Sequence, residues 1–496
     1  DRFSERITAQ SKRLGMWMDW ENSYYTHSDA NIEHIWAFLK KCNEHGWVQR
    51  GGRVMPWCIR CGTTLSQHEL VGTDTYQEMT HTAVTLRFPI AERENEYLLV
   101  WTTTPWTLAG NAACAVHPEL PYVKAEVGGE VYYLSRGTVQ TVLPDDHKVL
   151  GEVMGAELVG LRYGGPWDEL PAQAGIEHRV VGWDEVSEEE GTGIVHIAPG
   201  SGVEDFALGK NEGLPVVKPI DGEGRYVEGF GPLEGLNVLE ATDLILESLE
   251  EKGLLFGSGD YVHRYPVCWR CKEEIVFTYV DEWFLACDEI RPRMKAAAAK
   301  VNWVPESAGK RMQDWLDNMG DWAISRKRYW GLPLPFYRCE NVECRQVTVV
   351  GSVKELRELA VDPTIVDSLP ELHTPWIDEV RIHCPECGEE VERVPEVGDC
   401  WLDAGIVPFA TLHYMYEDQS KPYTTWHKWY PAEFVLEMRE QIRLWFYSML
   451  FMSVTLEDRA PYENLFVYEK VMDEKGEPMH RSFGNSIDFD DAVREM

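Results

Sequence analysis

Apolar positions in "NIEHIWAFLKKCNEHGWV", residues 31–48, return at helical spacing, with Ile32, Ile35, Trp36 and Leu39 on one face and Glu33, Lys40 and Lys41 off it. That period predicts an amphipathic helix, and residues 1–75 read mainly helical. From 76 to 255 the pattern changes to short β-rich runs, "HTAVTLRF", "YLLVWTTT", "AACAV", "VYYLS" and "GTGIVHIA", separated by Gly, Pro and Asp turns. These predict a compact, mostly β domain. Aromatic and basic residues return over 256–330, a small segment with four cysteines covers 331–398, and α/β character resumes over 399–496. The longest apolar-rich stretch, "FVLEMREQIRLWFYSMLFMSV" at 434–454, reads as one helix carrying Glu437, Arg439, Glu440 and Arg443. Glu437, Gln441 and Trp445 then fall at i, i+4 and i+8 on one face. Core packing suits Trp445 on that stripe but not Glu437 and Gln441. No run of 18 apolar residues occurs, so no membrane span is expected.

A chain of 496 residues exceeds a single core, so several domains are expected. Its 47 basic and 83 acidic residues give a net charge of −36, which opposes nonspecific nucleic-acid binding and confines any such contact to a local basic patch. Eight of the twelve cysteines form close pairs: Cys58/Cys61, Cys268/Cys271, Cys339/Cys344 and Cys384/Cys387. No secretory signal is visible, so the chain is expected in the cytoplasm, where such hooks read as metal ligands rather than disulfides. Sulfur donors in fours suit tetrahedral zinc, and two structural Zn2+ sites are expected, each closed to catalysis by its four ligands. The first set, Cys58, Cys61, Cys268 and Cys271, brackets the β-rich block. One ion there would tie the block's two ends together, which marks the block as an insertion into another domain.

Two stretches in that block carry candidate chemistry. "LLVWTTTPWTLAGN", Leu98 to Asn111, ends an apolar strand in a run of threonines. "GTGIVHIAPGSGVEDF", Gly191 to Phe206, reads as a strand ending at His196, a Gly/Pro loop, and an acidic turn with Glu204 and Asp205. Each alone is ordinary: β-branched residues in a strand, and a solvated acidic cap. Together they supply hydroxyls, an imidazole and a carboxylate with no nucleophile–base pair. Such a set can hold an α-ammonium on the carboxylate and position a water with the rest.

"WTTTPWTLAGN" and "GTGIVHIAPGSGVEDF" resemble the two signature stretches of the editing domain of isoleucyl-tRNA synthetases. "DWAISRKRYWGLPLPF", "GDCWLDAG" and the cysteine hooks resemble the catalytic body of the same family, and the resemblance covers essentially the whole chain. It implies an α/β class I Rossmann-like catalytic domain with an inserted, mostly β editing domain and a small zinc-binding insertion. The implied boundaries are 1–75 and 256–330 for the first part of the catalytic domain, 76–255 for editing, 331–398 for the zinc insertion and 399–496 for the second catalytic half. The implied activity is ATP-dependent charging of tRNA(Ile) with isoleucine, ATP acting with Mg2+, and hydrolysis of mischarged valyl-tRNA(Ile). A pocket alone discriminates one methylene only about a hundredfold, and the isoleucine enzyme is the standard illustration of that limit.

By the same resemblance Thr102, Thr103, Thr104, Thr107, Trp106 and His196 line the hydrolytic site, and Asp205 holds the amino group of the misattached valine. Glu437, Glu440, Gln441, Trp445 and Trp330 attend the aminoacyl-adenylate. "EPMHRSFGNS" stands where the family has its KMSKS loop, with Arg481 as phosphate contact beside Ser482; His480 and Pro478 depart from that pattern, as Met438 does from the adenylate motif. The HIGH motif and the anticodon-binding domain are not found, so the resemblance implies a partial chain, unable to activate isoleucine by itself. A monomer without membrane association is expected. The rival readings are a valyl or other aliphatic class I synthetase, a non-catalytic tRNA-binding relic, and a free-standing deacylase.

Overall fold

The computed structural model describes residues 2–21, 23–65, 67–70, 75–328, 330–416, 426–477, 479 and 484–495. The chain divides into two compact units, one of residues 50–282 and one of residues 1–49 with 283–496. Among the described residues no helix is long and apolar enough to cross a membrane.

The 50–282 unit is built on a nine-stranded mixed sheet. Its central strand, Glu96–Thr102, runs antiparallel to Tyr76–Pro89 and parallel to Val195–Ile197, with Trp101 opposite Val195. Alternation explains the inner face: Val84, Leu86 and Phe88 of one strand and Leu98 and Val100 of the next are fully buried together. Tyr76–Pro89 also pairs with Leu255–Pro266 in a long antiparallel ribbon. The unit extends beyond the β-rich block at 76–255 on both sides. The cysteine hooks account for this, since Cys58, Cys268 and Ile275 share a small buried cluster with Leu65 and Leu70.

In the other unit, the expected helix spans Asp29–Glu44. Ser28 caps it, accepting from the Asn31 amide at 3.3 Å, and its buried face is Ile32, Ile35, Trp36, Phe38, Leu39 and Cys42. Phe38 meets Phe451 edge-on at 6.1 Å, which sets this helix against Trp445–Glu457. Asn302–Val304, Tyr462–Tyr468 and Ala432–Met438 form a three-stranded parallel sheet with Tyr462–Tyr468 in the middle.

Three expectations are corrected. Residues 1–75 are not mainly helical throughout, because Val48–Cys58 is a strand. The acidic turn at Glu204 and Asp205 is the first turn of a helix, Val203–Glu212. Residues 434–454 are not one helix: Ala432–Met438 is a strand, Arg439–Arg443 a short 3-10 turn, and the helix begins at Trp445. Pairing with the distant Tyr462–Tyr468 overrides the local helical period, with Glu437 opposite Val467.

Candidate functional site

The strand pairing places the two signature stretches side by side. With Trp101 opposite Val195, the threonines leave one strand where His196 continues the other. Pro105 opens a buried 3-10 turn, Pro105–Gly110, which folds Trp106 and Thr107 back over the strand ends. A cavity of about 270 Å3 results, lined by Thr102, Thr104, Trp106, Thr107, His196, Ser201, Asp205, Tyr265 and Phe277. Thr103 is not in its wall; its hydroxyl lies 3.5 Å from that of Thr104.

Asp205 stands in the first turn of Val203–Glu212, where the helix N-terminus favours negative charge. Its Oδ2 accepts from the Ala198 amide at 2.7 Å. Burial still dominates and pushes the carboxyl up to about 7, against that amide, which pulls it down. Gly202 makes room for it: a Cβ there would sit 2.7 Å from the carboxyl carbon. Ser201 Oγ is buried in the same wall without a protein partner. A desolvated carboxylate and a free hydroxyl facing one cavity are what a small cationic, hydrogen-bonding ligand group would satisfy.

His196 is fully engaged. One ring nitrogen lies 3.1 Å from Thr107 Oγ1 and the other 2.8 Å from Asn111 Nδ2. Burial pushes its pKa down to about 3, so the ring is neutral at physiological pH. The Thr104 amide donates to Thr102 Oγ1 at 3.1 Å, and Thr107 Oγ1 donates to the Thr104 carbonyl at 2.8 Å. The threonine run is thus a set of local backbone–hydroxyl bonds that holds three hydroxyl-bearing residues, Thr102, Thr104 and Thr107, at the cavity.

The cysteines meet as their spacing predicts. Cys58, Cys61, Cys268 and Cys271 form one group and Cys339, Cys344, Cys384 and Cys387 another, each with its sulfurs within 4.8 Å of one another. Cys58 and Cys61 lie at the turn between paired strands Val48–Cys58 and Thr63–Thr64, and the other hooks sit in similar short hairpins. Sulfur separations of 3.5 and 3.6 Å in the first group and 3.5 and 3.7 Å in the second are too long for disulfides. They fit a zinc tetrahedron, whose arms of about 2.3 Å imply edges of about 3.8 Å.

In the 1–49 and 283–496 unit, Glu437 and Gln441 lie at and just beyond the carboxyl end of a parallel strand, the usual binding edge of such sheets. Tyr468 Oη donates to Glu437 Oε2 at 2.9 Å, Gln441 Oε1 accepts from the Trp445 amide at 3.2 Å, and Lys470 pairs with Glu440 at 3.6 Å. Trp445 Nε1 donates to the Ala404 carbonyl at 2.9 Å. Beside Ala404, Asp403 is pushed up to about 7 by burial, against a hydrogen bond from Asn31 at 2.9 Å. Trp330 is exposed and stacks on the buried His373 at 4.5 Å. Arg481 and Ser482 lie outside the described residues, as do Pro478 and His480.

The whole chain, residues 1–496, matches the family model described as tRNA synthetases class I (I, L, M and V). The chain belongs to this family. Among curated relatives it is 40% identical to the isoleucine–tRNA ligase of Methanothermobacter thermautotrophicus over 491 residues, covering 99% of this chain and 46% of that one. To the ligase of the same name from Pyrococcus horikoshii it is 41% identical over 525 residues, covering 99% and 48%. For the Saccharolobus solfataricus ligase the figures are 38% over 493 residues, 98% and 48%. The chain spans about half the length of these relatives. The class I synthetase fold fits the parallel sheet with Glu437 at its edge, and the sheet unit 50–282 interrupts that class I body in sequence.

Sequence reasoning missed five residues at the cavity or directly behind it. Ser201, Tyr265 and Phe277 line it, and Asn111 and Tyr163 stand behind His196. Asn111 closes the quoted threonine stretch, and a lone amide ending a buried turn was the available signal. Tyr265 and Phe277 had none, because strand pairing alone brings them there, and Tyr163 had none in its own stretch.

Proposed function

We propose that this chain is the catalytic and editing portion of an isoleucine–tRNA ligase. It activates isoleucine with ATP and Mg2+ for transfer to tRNA(Ile) in the intact enzyme, and hydrolyses valyl-tRNA(Ile) in the 50–282 unit. The observation that carries the editing half is the cavity, whose lining joins a desolvated Asp205 carboxyl to Thr102, Thr104 and the unpartnered Ser201 hydroxyl. Asp205 takes the α-ammonium of the misattached valine. The hydroxyls hold the ester and an attacking water, and Trp106, Tyr265 and Phe277 bound the side chain. Thr103 acts from outside the wall, by orienting Thr104.

The synthetic half rests on Glu437, Glu440, Gln441 and Trp445 at the strand edge, with Trp330 on the same body. Arg481 and Ser482 are assigned to the ATP phosphates, where Arg481 presents a forked charge in place of a lysine. The two sulfur sets hold one zinc each, as structural ions. The deciding experiment offers the chain tRNA(Ile) charged with valine or with isoleucine. Hydrolysis of the valyl ester alone, lost in Asp205→Ala, supports the reading. Preferential hydrolysis of a threonyl ester on tRNA(Val) would transfer it to a valine enzyme, and no hydrolysis of any ester refutes the editing assignment.

A further inference from the structure

His196 sits in a chain of hydrogen bonds that runs one way. Tyr163 Oη lies 2.8 Å from Asn111 Oδ1, and Asn111 Nδ2 lies 3.0 Å from the Ala113 carbonyl and 2.8 Å from His196 Nδ1. His196 Nε2 lies 3.1 Å from Thr107 Oγ1, which is 2.8 Å from the Thr104 carbonyl. All four side chains are buried.

The donors follow by elimination. A carbonyl only accepts, so Ala113 fixes the Asn111 amide with Nδ2 toward it and Oδ1 toward Tyr163. Burial holds the Tyr163 hydroxyl protonated, so it is a permanent donor to that Oδ1. Asn111 Nδ2 therefore donates its second hydrogen to His196 Nδ1, which must be bare. At the other end Thr107 has one hydrogen, and the Thr104 carbonyl takes it. Thr107 Oγ1 can then only accept from His196, so Nε2 carries the ring proton. Reversing the ring would set an N–H against an N–H at Asn111 and two lone pairs against each other at Thr107, an arrangement that a buried site with no water to compensate disfavours strongly.

We propose that Tyr163 and Asn111 are positioning residues that lock His196 in the Nε2–H form, so that His196 acts in hydrolysis as a donor that fixes Thr107 and never as the base. Its effect on hydrolysis rests on the editing function proposed above; the lock itself does not. With both ring nitrogens engaged, His196 has no lone pair for a water proton. The proton of the attacking water must leave by an acceptor other than His196. A histidine in a hydrolytic pocket invites assignment as general base; here the groups behind it forbid that role.

The test needs no turnover. The chain is prepared with 15N-labelled histidine, and the His196 resonances are identified by their loss in His196→Asn. The expected spectrum shows Nε2 protonated and Nδ1 bare, unchanged from pH 5.5 to 8.5. A protonated Nδ1, a tautomer mixture or an imidazolium in that range overturns the proposal. Asn111→Asp replaces a donor by an acceptor and is expected to move the proton to Nδ1, with kcat for valyl-tRNA(Ile) deacylation falling on the order of a hundredfold or more, as when a wrong tautomer is imposed on a catalytic histidine. Tyr163→Phe keeps the shape and removes only the anchor, so it guards against a misfolded Asn111→Asp. It is expected to shift the His196 resonances toward a mixture and to lower kcat roughly three- to tenfold at unchanged KM. Unmoved resonances in Tyr163→Phe overturn the proposal. If the unaltered chain hydrolyses no aminoacyl-tRNA, the editing function falls, while the spectrum still decides the lock.

Discussion

Replacing Asp205 by asparagine separates the charge of this residue from its shape. The amide oxygen of Asp205→Asn can still accept from Ala198, which bonds to Asp205 Oδ2 at 2.7 Å. What is lost is a carboxylate that burial has pushed from 3.8 to about 7. Between those two values the unfolded chain has released the proton and the folded chain has not, so stability falls as pH rises from about 4 to 7 and levels off above that. Roughly three pK units at 1.36 kcal/mol each set a ceiling of about 4 kcal/mol. Water reaching the carboxyl through the cavity mouth lowers this, and about 2 kcal/mol is a reasonable expectation. Asp205→Asn should therefore melt about 5 °C above the parent at pH 8, and the gap should close toward pH 4.

On the proposed editing function, the same substitution also removes the partner of the substrate ammonium. A charge-assisted hydrogen bond contributes about 1.5–3 kcal/mol, so kcat/KM for valyl-tRNA(Ile) deacylation should drop roughly 10- to 150-fold. In the parent, kcat/KM should climb through pH 7 as Asp205 ionises, and that limb should be missing in Asp205→Asn. Thermal melts at four pH values and a deacylation time course suffice. A melting difference that does not grow between pH 5 and 8, or a variant that hydrolyses the ester at the parental rate, would refute the reasoning.

Other expectations follow from packing and ligand counts. Gly200→Ala would set a Cβ 1.7 Å from the Val217 carbonyl oxygen, in the loop that carries Ser201. It should cost about 1–3 kcal/mol, read as a lower denaturant midpoint, and reduce deacylation; a wild-type midpoint would contradict the close approach. Phe88→Ala removes a fully buried ring that stacks on Tyr163 at 5.3 Å, and should cost about 3–5 kcal/mol in urea unfolding. Metal analysis should find two zincs per chain, falling to one in Cys61→Ser and, separately, to one in Cys344→Ser. A count unmoved by either substitution would show that its sulfur set holds no ion.

The parts legible in the sequence were those encoded locally. The run "HTAVTLRF" announced a strand, whose alternation buries Val84, Leu86 and Phe88 on one face, and the cysteine hooks announced their groups because a gap of two residues, or of four at Cys339/Cys344, suits a metal-binding knuckle. The threonine run and His196 were found from their own stretches, and the strand pairing of Trp101 with Val195 brought them together. Glu437 was read onto a helix because its neighbours obey a helical period by coincidence; the partner strand that fixes it, Tyr462–Tyr468, begins 25 residues later. Thr103 was read into the cavity with its neighbours, since a run of identical residues does not say which side chains turn inward. Tyr163 was invisible for a different reason. Its role is to direct a hydrogen through Asn111, and nothing in its own surroundings in the sequence says so.

The unit 50–282 is entered at Gln49/Arg50 and left at Glu282/Trp283, on the adjacent strands Val48–Cys58 and Ile275–Leu285. On the other unit's side the two crossings also meet, the Ala286 amide donating to the Trp47 carbonyl at 2.9 Å. To the class I body, the whole sheet unit is then equivalent to a hairpin loop. Loop-closure entropy grows only with the logarithm of the intervening length, and the two strands that carry the crossings are neighbours in one sheet, so the insert's ends lie together. Such an arrangement lets one part be lengthened, exchanged or deleted with little effect on the other's folding. A short turn joining Gln49 to Trp283 should leave the body able to fold, and the excised sheet unit should retain its cavity.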